Sequence, residues 1–197
     1  MQIHIQNINI MPPSASTDAL NSMERLMQTI GRAEASAPAA VTQPDAKPQI
    51  GNYWPGQGGF YAGDVRGDDG TVYGLIVSDC DVAKDVGTAA WGPESEHELS
   101  EWDGLDNTQK LGTGHPAAKR AAAHTADKHN DFYLPARREL QLACATVPHL
   151  FGGDSWYWSS TPRFEDYAWA VVFESGHTYS SSRYVEFRVR PVRRFIY

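Results

Sequence analysis

A chain of 197 residues is long enough for one well-buried domain with an extension and too short for two ordinary domains. Its composition, 41% hydrophobic and 21% charged, is typical of a globular protein, and no run approaches the roughly 20 apolar residues that a membrane span needs. The net charge of −7 and the pI near 5.4 argue against nucleic-acid binding, and two cysteines cannot form a disulfide framework.

The first 32 residues predict a strand followed by a helix. Ile3, Ile5, Ile8 and Ile10 alternate with polar residues apart from a one-residue slip, which indicates a short half-buried strand. A helix is predicted from an N-cap at residues 16–18, with apolar residues on one face. The beginning of the chain has neither a basic leader nor a continuous apolar core, so we expect no signal peptide. We interpret residues 1–32 as an attachment or oligomerisation segment.

Residues 33–50 are rich in Ala and Pro and contain almost no bulky apolar side chain, which predicts an extended linker. A domain boundary near residue 50 follows, with one folded domain over 51–197. Its first part is Gly-rich and predicts a hairpin with Asp68-Asp69-Gly70 at the tip. Pro116 and Pro135 each precede an Ala-rich or Leu-rich stretch, so each predicts a helix with Pro at the first helical position.

Three short aromatic and β-branched runs form the last third of the chain, separated by Ser, Gly, Pro and Asp. They begin at Trp156, Tyr167 and Phe187 and predict a close-set antiparallel ladder. Strands, two helices and further strands together predict an α+β domain. Trp158 and Trp169 are predicted to be core aromatics, because large rings dominate burial.

Several of these segments occur in an order that resembles a known family, the C-terminal domain of the Legionella collagen-like adhesin (domain of unknown function 1566). The resemblance covers about residues 56–197, and its most specific part is the combination of YLPxRxEL, WSST and RPVR. The segments that carry it are Trp91, Leu105–Thr108, Asp131–Leu140, Trp158–Thr161, Tyr167–Trp169 and Arg188–Arg193.

The resemblance implies a C-type-lectin-like fold, in which the first and last strands meet, two helices flank a twisted antiparallel sheet, and the last strands and loops form a ligand face. Members of this family occur on bacterial surface adhesins, in phage proteins and as variable proteins of diversity-generating retroelements. Together with the expected lack of a signal peptide, the resemblance implies a phage virion protein that is a homo-oligomer, attaches to virion subunits through residues 1–32, and recognises a host-surface glycan or protein.

Tyr and Ser are concentrated between the last strands, and this composition is typical of recognition surfaces, although ordinary solvated loops are the alternative. The predicted ligand-contact residues are Ser155, Tyr157, Arg163, Phe164, Glu165, Asp166, His177, Tyr179, Ser180, Ser181, Ser182, Arg183 and Tyr184.

Four arginines near the C-terminus are predicted to pair with carboxylates of the same domain, such as Glu139 or Glu186. An anion-binding stripe is the alternative. These four are Arg188, Arg190, Arg193 and Arg194.

No cofactor is predicted. Calcium is the alternative, because Asp103, Asp106 and Asn107 are close together in sequence, but they lack the spacing of a known calcium loop.

No HExxH or nucleophile-elbow motif occurs, so we predict a non-enzymatic binding protein. Two alternatives stay open. One is a virion decoration protein that binds only neighbouring subunits, and the other is a formylglycine-generating oxidase, which would need Cys80 and Cys144 within disulfide reach.

Overall fold

The computed structural model describes residues 47–81, 85–95 and 98–197. All of them belong to one compact unit, Pro44–Tyr197. The predicted segment 1–32 and most of the predicted linker 33–50 lie outside the described residues. Within the described part of the chain, no helix is both long enough and apolar enough to cross a membrane.

The described residues form nine strands and three α-helices. The strands are β1 Tyr53–Trp54, β2 Gly59–Arg66, β3 Val72–Ser78, β4 Thr88–Ala90, β5 Trp156–Phe164, β6 Tyr167–Val172, β7 Thr178–Ser182, β8 Glu186–Arg188 and β9 Val192–Ile196. The helices are α1 Gly104–Leu111, α2 Pro116–Ala122 and α3 Arg137–Thr146, with short 3-10 turns at Gly112–Gly114 and Pro148–Leu150. The α+β prediction is confirmed at this level.

The first sheet has the strand order β1-β2-β3-β9 and is antiparallel throughout. The predicted hairpin is confirmed as β2 and β3, and the Asp69 carboxylate stabilises its turn by accepting hydrogen bonds from the backbone N–H and the hydroxyl of Thr71. The last strand closes this sheet, with Tyr73 opposite Ile196 and Val77 opposite Val192.

The second sheet has the order β4-β8-β5-β6-β7 and carries the C-terminal surface. Its pairs are antiparallel except for one parallel bridge between β5 and β8, at Tyr157 and Arg188. Pro162 lies where the register of β5 and β6 shifts. Such an irregularity is one of the places where a sheet tolerates proline, because proline has no N–H to donate to the ladder. β7 is an edge strand of this sheet.

Two apolar clusters hold the layers together. The first packs α3 between the two sheets, with Leu140, Leu75 and Val171 fully buried. The second packs the small side chains of α2 against Trp91 and Trp158. Both indole N–H groups are satisfied, since Trp91 donates to the Ser159 carbonyl at 2.8 Å and Trp158 to the Ala89 carbonyl at 2.9 Å. The core position predicted for Trp158 is confirmed.

The helix boundaries correct the sequence prediction in two places. α2 begins at Pro116 as predicted, but α3 begins at Arg137 because the buried Glu139 carboxylate accepts from the Ala136 N–H at 2.7 Å and fixes the helix start there. α1 was not predicted. Asp103 caps it by accepting from the Asp106 N–H at 2.8 Å, and Gly112 follows its last residue at φ 58°.

Candidate functional site

The predicted contact residues fall on β5 and β7 and on the turns beside the strands of the second sheet. Most are exposed or half-buried, as a contact surface requires. The exposed members are Arg163, Phe164, Glu165, Asp166, His177, Tyr179 and Tyr184, and the half-buried members are Ser155, Ser180, Ser181 and Ser182.

Tyr157 and Arg183 are buried, and Tyr157 lies in a strand rather than in the predicted loop, whereas Arg183 lies in the turn after β7 as predicted. Tyr157 lies within β5, where its hydroxyl donates to Asp85 Oδ2 at 2.9 Å and accepts from the Gly152 N–H at 2.7 Å. Burial and the Asp85 carboxylate raise the pKa of Tyr157 to about 12. Arg183 donates to the Pro93 carbonyl at 2.9 Å. Both side chains therefore support the fold.

An open groove of about 430 Å³ lies beside β7, and we call it the β7 groove. It is lined by Trp156, Val172, Ser175, His177, Thr178 and Tyr179.

Strand register explains why these side chains meet. Trp156 lies opposite Val172 and Tyr179 lies opposite Ala170, so the alternation of side chains along each strand places all four on one face of the sheet. Because Ala170 is small, the Tyr179 ring approaches the Trp156 ring, with centroids 5.9 Å apart and planes 54° apart. The two rings form a corner.

The aromatic surface continues from this corner across the sheet. Phe187, on β8, lies with its ring centroid 6.1 Å from that of Trp156, on the opposite side from Tyr179. The Tyr179 side chain is exposed, whereas Trp156 and Phe187 are half-buried and rest on the second apolar cluster. Three rings from three strands thus form a row that leads from the core to solvent.

The polar atoms of the β7 groove come from uncharged side chains and one histidine. Ser175 Oγ and His177 Nδ1 are 2.8 Å apart and share a hydrogen bond. Thr178 Oγ1 accepts from Gln141 Nε2 at 2.9 Å, which ties the groove to α3. No Asp, Glu, Lys or Arg is among the described residues that line it.

Trp169 is half-buried, which corrects the prediction that it belongs to the core. Its ring is held between two guanidinium groups, Arg137 at 4.5 Å and Arg163 at 4.3 Å from the ring centroid. Arg137 also pairs with Glu101 at 2.7 Å. Such stacking immobilises Arg163 beside the exposed hairpin tip of β5 and β6.

The C-terminal arginines pair with carboxylates, as predicted, but the main partners are aspartates rather than Glu139 or Glu186. Arg190 is bonded to Asp85 at 2.8 Å, and both side chains are almost completely buried. The other three arginines are paired too. Arg188 pairs with Asp85 at 3.4 Å and with Asp154 at 3.7 Å, Arg193 with Asp131 at 2.9 Å, and Arg194 with Asp103 at 2.6 Å.

The three residues considered for calcium have protein partners. Asp103 caps α1 and pairs with Arg194, and Asp106 pairs with Lys110 at 2.7 Å. The Asn107 side-chain amide is buried and is bonded to Ser100 and Ser160. Over residues 47–81, 85–95 and 98–197, no group of three or more His, Cys, Asp or Glu side chains is arranged to hold a metal ion.

Cys80 and Cys144 are both free thiols. Cys80 Sγ lies 3.9 Å from His124 Nε2, an approach that would matter for catalysis if the thiol were ionised. Burial raises the pKa of the Cys80 thiol, and burial together with Arg190 lowers the pKa of His124. Both shifts favour the neutral forms over a thiolate–imidazolium pair.

Sequence reasoning missed four residues of the β7 groove, namely Trp156, Val172, Ser175 and Thr178. Trp156 could have been predicted from the alternation of side chains along β5, since it lies two residues from the buried Trp158 and so shares its face.

Comparison of the chain with protein-family models found no matching model, and comparison with curated proteins found no significant match. The family resemblance described above stays a prediction.

Proposed function

We propose that this chain is a non-enzymatic binding protein that recognises a host-surface glycan or protein through its C-terminal strands. The observation that carries the proposal is the exposed aromatic corner of the β7 groove, built by Trp156 and Tyr179 on a rigid sheet. Tyr and Trp provide large contact areas at a low cost in side-chain entropy, and binding surfaces are enriched in both.

The polar chemistry of the site favours binding over catalysis. Ser175 and His177 share a hydrogen bond, which is also found in hydrolases, but both side chains are exposed. In the described part of the chain no carboxylate is bonded to His177, so the third group that would orient a catalytic imidazole is missing from it. The partly buried Cys80 thiol, whose pKa is raised by desolvation, also argues against an oxidase that depends on an ionised cysteine.

The family resemblance supplies the biological setting of this proposal, a C-type-lectin-like domain on a phage particle. In that setting residues 1–32 bind virion subunits and the chain is a homo-oligomer. Several copies on one particle would raise the apparent affinity by orders of magnitude without any new contact, because each further binding event is intramolecular.

The test is saturable binding of the labelled full-length chain to intact candidate host cells, with unlabelled chain as competitor. We expect binding to be lost in the double variant Tyr179→Ala with Tyr184→Ala, because both side chains are exposed on the C-terminal surface. Val72→Ala is the matched control, since Val72 is an exposed apolar residue of the first sheet. Absence of saturable binding by the folded chain contradicts the proposal and favours a virion decoration protein.

A further inference from the structure

We infer that the β7 groove is a subsite for a neutral pyranose sugar, which stacks on the Tyr179 ring and against Trp156. This inference rests on the proposed function, because it assumes that the C-terminal strands bind a surface ligand. It goes further by choosing a glycan over a protein and an uncharged sugar over an acidic one.

The first argument is the shape of the aromatic corner. The Tyr179 side chain is 62% exposed, so its ring is open to solvent. Trp156 meets it at 54° and is itself fixed by Phe187 on its other side. An aromatic face carries a partial negative charge that attracts the weakly positive C–H groups on one side of a pyranose ring. The Tyr179 ring provides such a face for stacking, and the Trp156 ring provides a second aromatic surface beside it.

The second argument is the set of polar groups around this corner. The Trp156 indole N–H and the Tyr179 hydroxyl make no hydrogen bond to any described residue, and neither does His177 Nε2, because His177 is bonded through Nδ1 to Ser175. Sugars combine an apolar ring face with hydroxyl groups at its edge that both donate and accept hydrogen bonds. An aromatic floor with one N–H donor, one hydroxyl and one imidazole nitrogen matches that combination.

The third argument concerns charge and size. Val172 and Thr178 complete a lining that contains no carboxylate, ammonium or guanidinium group among the described residues. An acidic sugar would find no lysine or arginine there to compensate for the loss of its hydration, so the lining favours a neutral ligand. The groove volume of about 430 Å³ is at the low end of the roughly 300–1,000 Å³ typical of small-molecule sites, which suits the end of an oligosaccharide.

The test applies the full-length chain to an array of neutral and acidic glycans and follows binding of free glucose, galactose, mannose and N-acetylglucosamine by saturation-transfer NMR. We expect binding to neutral glycans that falls at least tenfold in Tyr179→Ala and only a few-fold in Tyr179→Phe, which keeps the ring. Tyr167→Ala is the matched control, because Tyr167 is an exposed tyrosine of the same sheet outside the groove, and we expect it to bind as the unaltered chain does.

Treatment of the cells separates the inference from the function on which it rests. Cell binding that is lost after periodate oxidation of sugar diols, and kept after protease treatment, supports the sugar subsite. Cell binding that resists periodate and is lost after protease overturns the inference and leaves receptor recognition in place. Selective binding of acidic glycans, or equal binding by Tyr179→Ala and the unaltered chain, overturns it as well. No binding to cells at all removes the proposed function together with the inference.

Discussion

Replacement of Asp85 by Asn tests whether the C-terminal arginines stabilise the fold through buried charge. The Asp85 side chain is 0% exposed and Arg190 is 1% exposed, with 2.8 Å between Oδ1 and the guanidinium nitrogen. Removing one member of a buried ion pair costs about 3–5 kcal/mol, because the other charge is left without compensation. Asn keeps one acceptor oxygen, so we expect a loss near the lower end, about 3 kcal/mol.

Asp131→Asn is the matched control, because it removes the carboxylate from another arginine pair. Asp131 is 47% exposed, and its partner Arg193 has a second acceptor in Gln57. A pair that is open to water contributes about 0–1 kcal/mol, so this substitution should cost no more than that.

The assay is urea unfolding of both variants and of the unaltered chain, followed by near-UV circular dichroism. A further variant, Asp85→Asn with Arg190→Met, also removes the buried guanidinium charge that Asp85→Asn leaves unpaired, and it should regain part of the lost stability. The reasoning is refuted if Asp85→Asn and Asp131→Asn lower the free energy of unfolding by the same amount, or if the double variant is less stable than Asp85→Asn alone.

Two further predictions concern the aromatic side chains. Trp158→Ala should lower the free energy of unfolding by about 3–5 kcal/mol, because the Trp158 ring is fully buried. Trp169→Ala should lower it by only about 1–2 kcal/mol, because the Trp169 ring is half-buried between guanidinium groups. Thermal unfolding of both variants checks the order. The folded-state pKa of Tyr157, near 12, lies above the usual 10, so its contribution to stability is present below pH 10 and is lost as pH rises towards 12. Denaturant unfolding from pH 9 to pH 12 should therefore show the unaltered chain losing about 2–3 kcal/mol more than Tyr157→Phe, and a constant difference between the two would contradict this assignment.

Local signals allowed much of the fold to be predicted. The hairpin of β2 and β3 follows from the turn residues at its tip, and α2 follows from Pro116. α1 was missed although its signals are local too, since Asp103 is an N-cap residue and Gly112 ends the helix. Leu105 and Leu111 are its only bulky apolar residues, so a search for periodic apolar residues passes over it.

The site was harder to predict because its residues are brought together by contacts between segments that are far apart in the sequence. The arginine pairs show this, since Arg190 finds Asp85 and Arg194 finds Asp103 across long stretches of chain. Tyr157 was placed on the surface because tyrosine is common at recognition sites, yet its hydroxyl is satisfied by Asp85 inside the domain. Composition therefore located the C-terminal surface, and only the strand register separates its outward from its inward side chains.

Closure of the first sheet by β9 also affects how the protein is made. β3, Val72–Ser78, is synthesised well before its partner strand β9, Val192–Ile196. Pairing over so long a separation is slow, and until it occurs β3 presents an open edge to other chains. A nascent or truncated chain that stops before Val192 therefore lacks its last strand and becomes a target for aggregation or degradation.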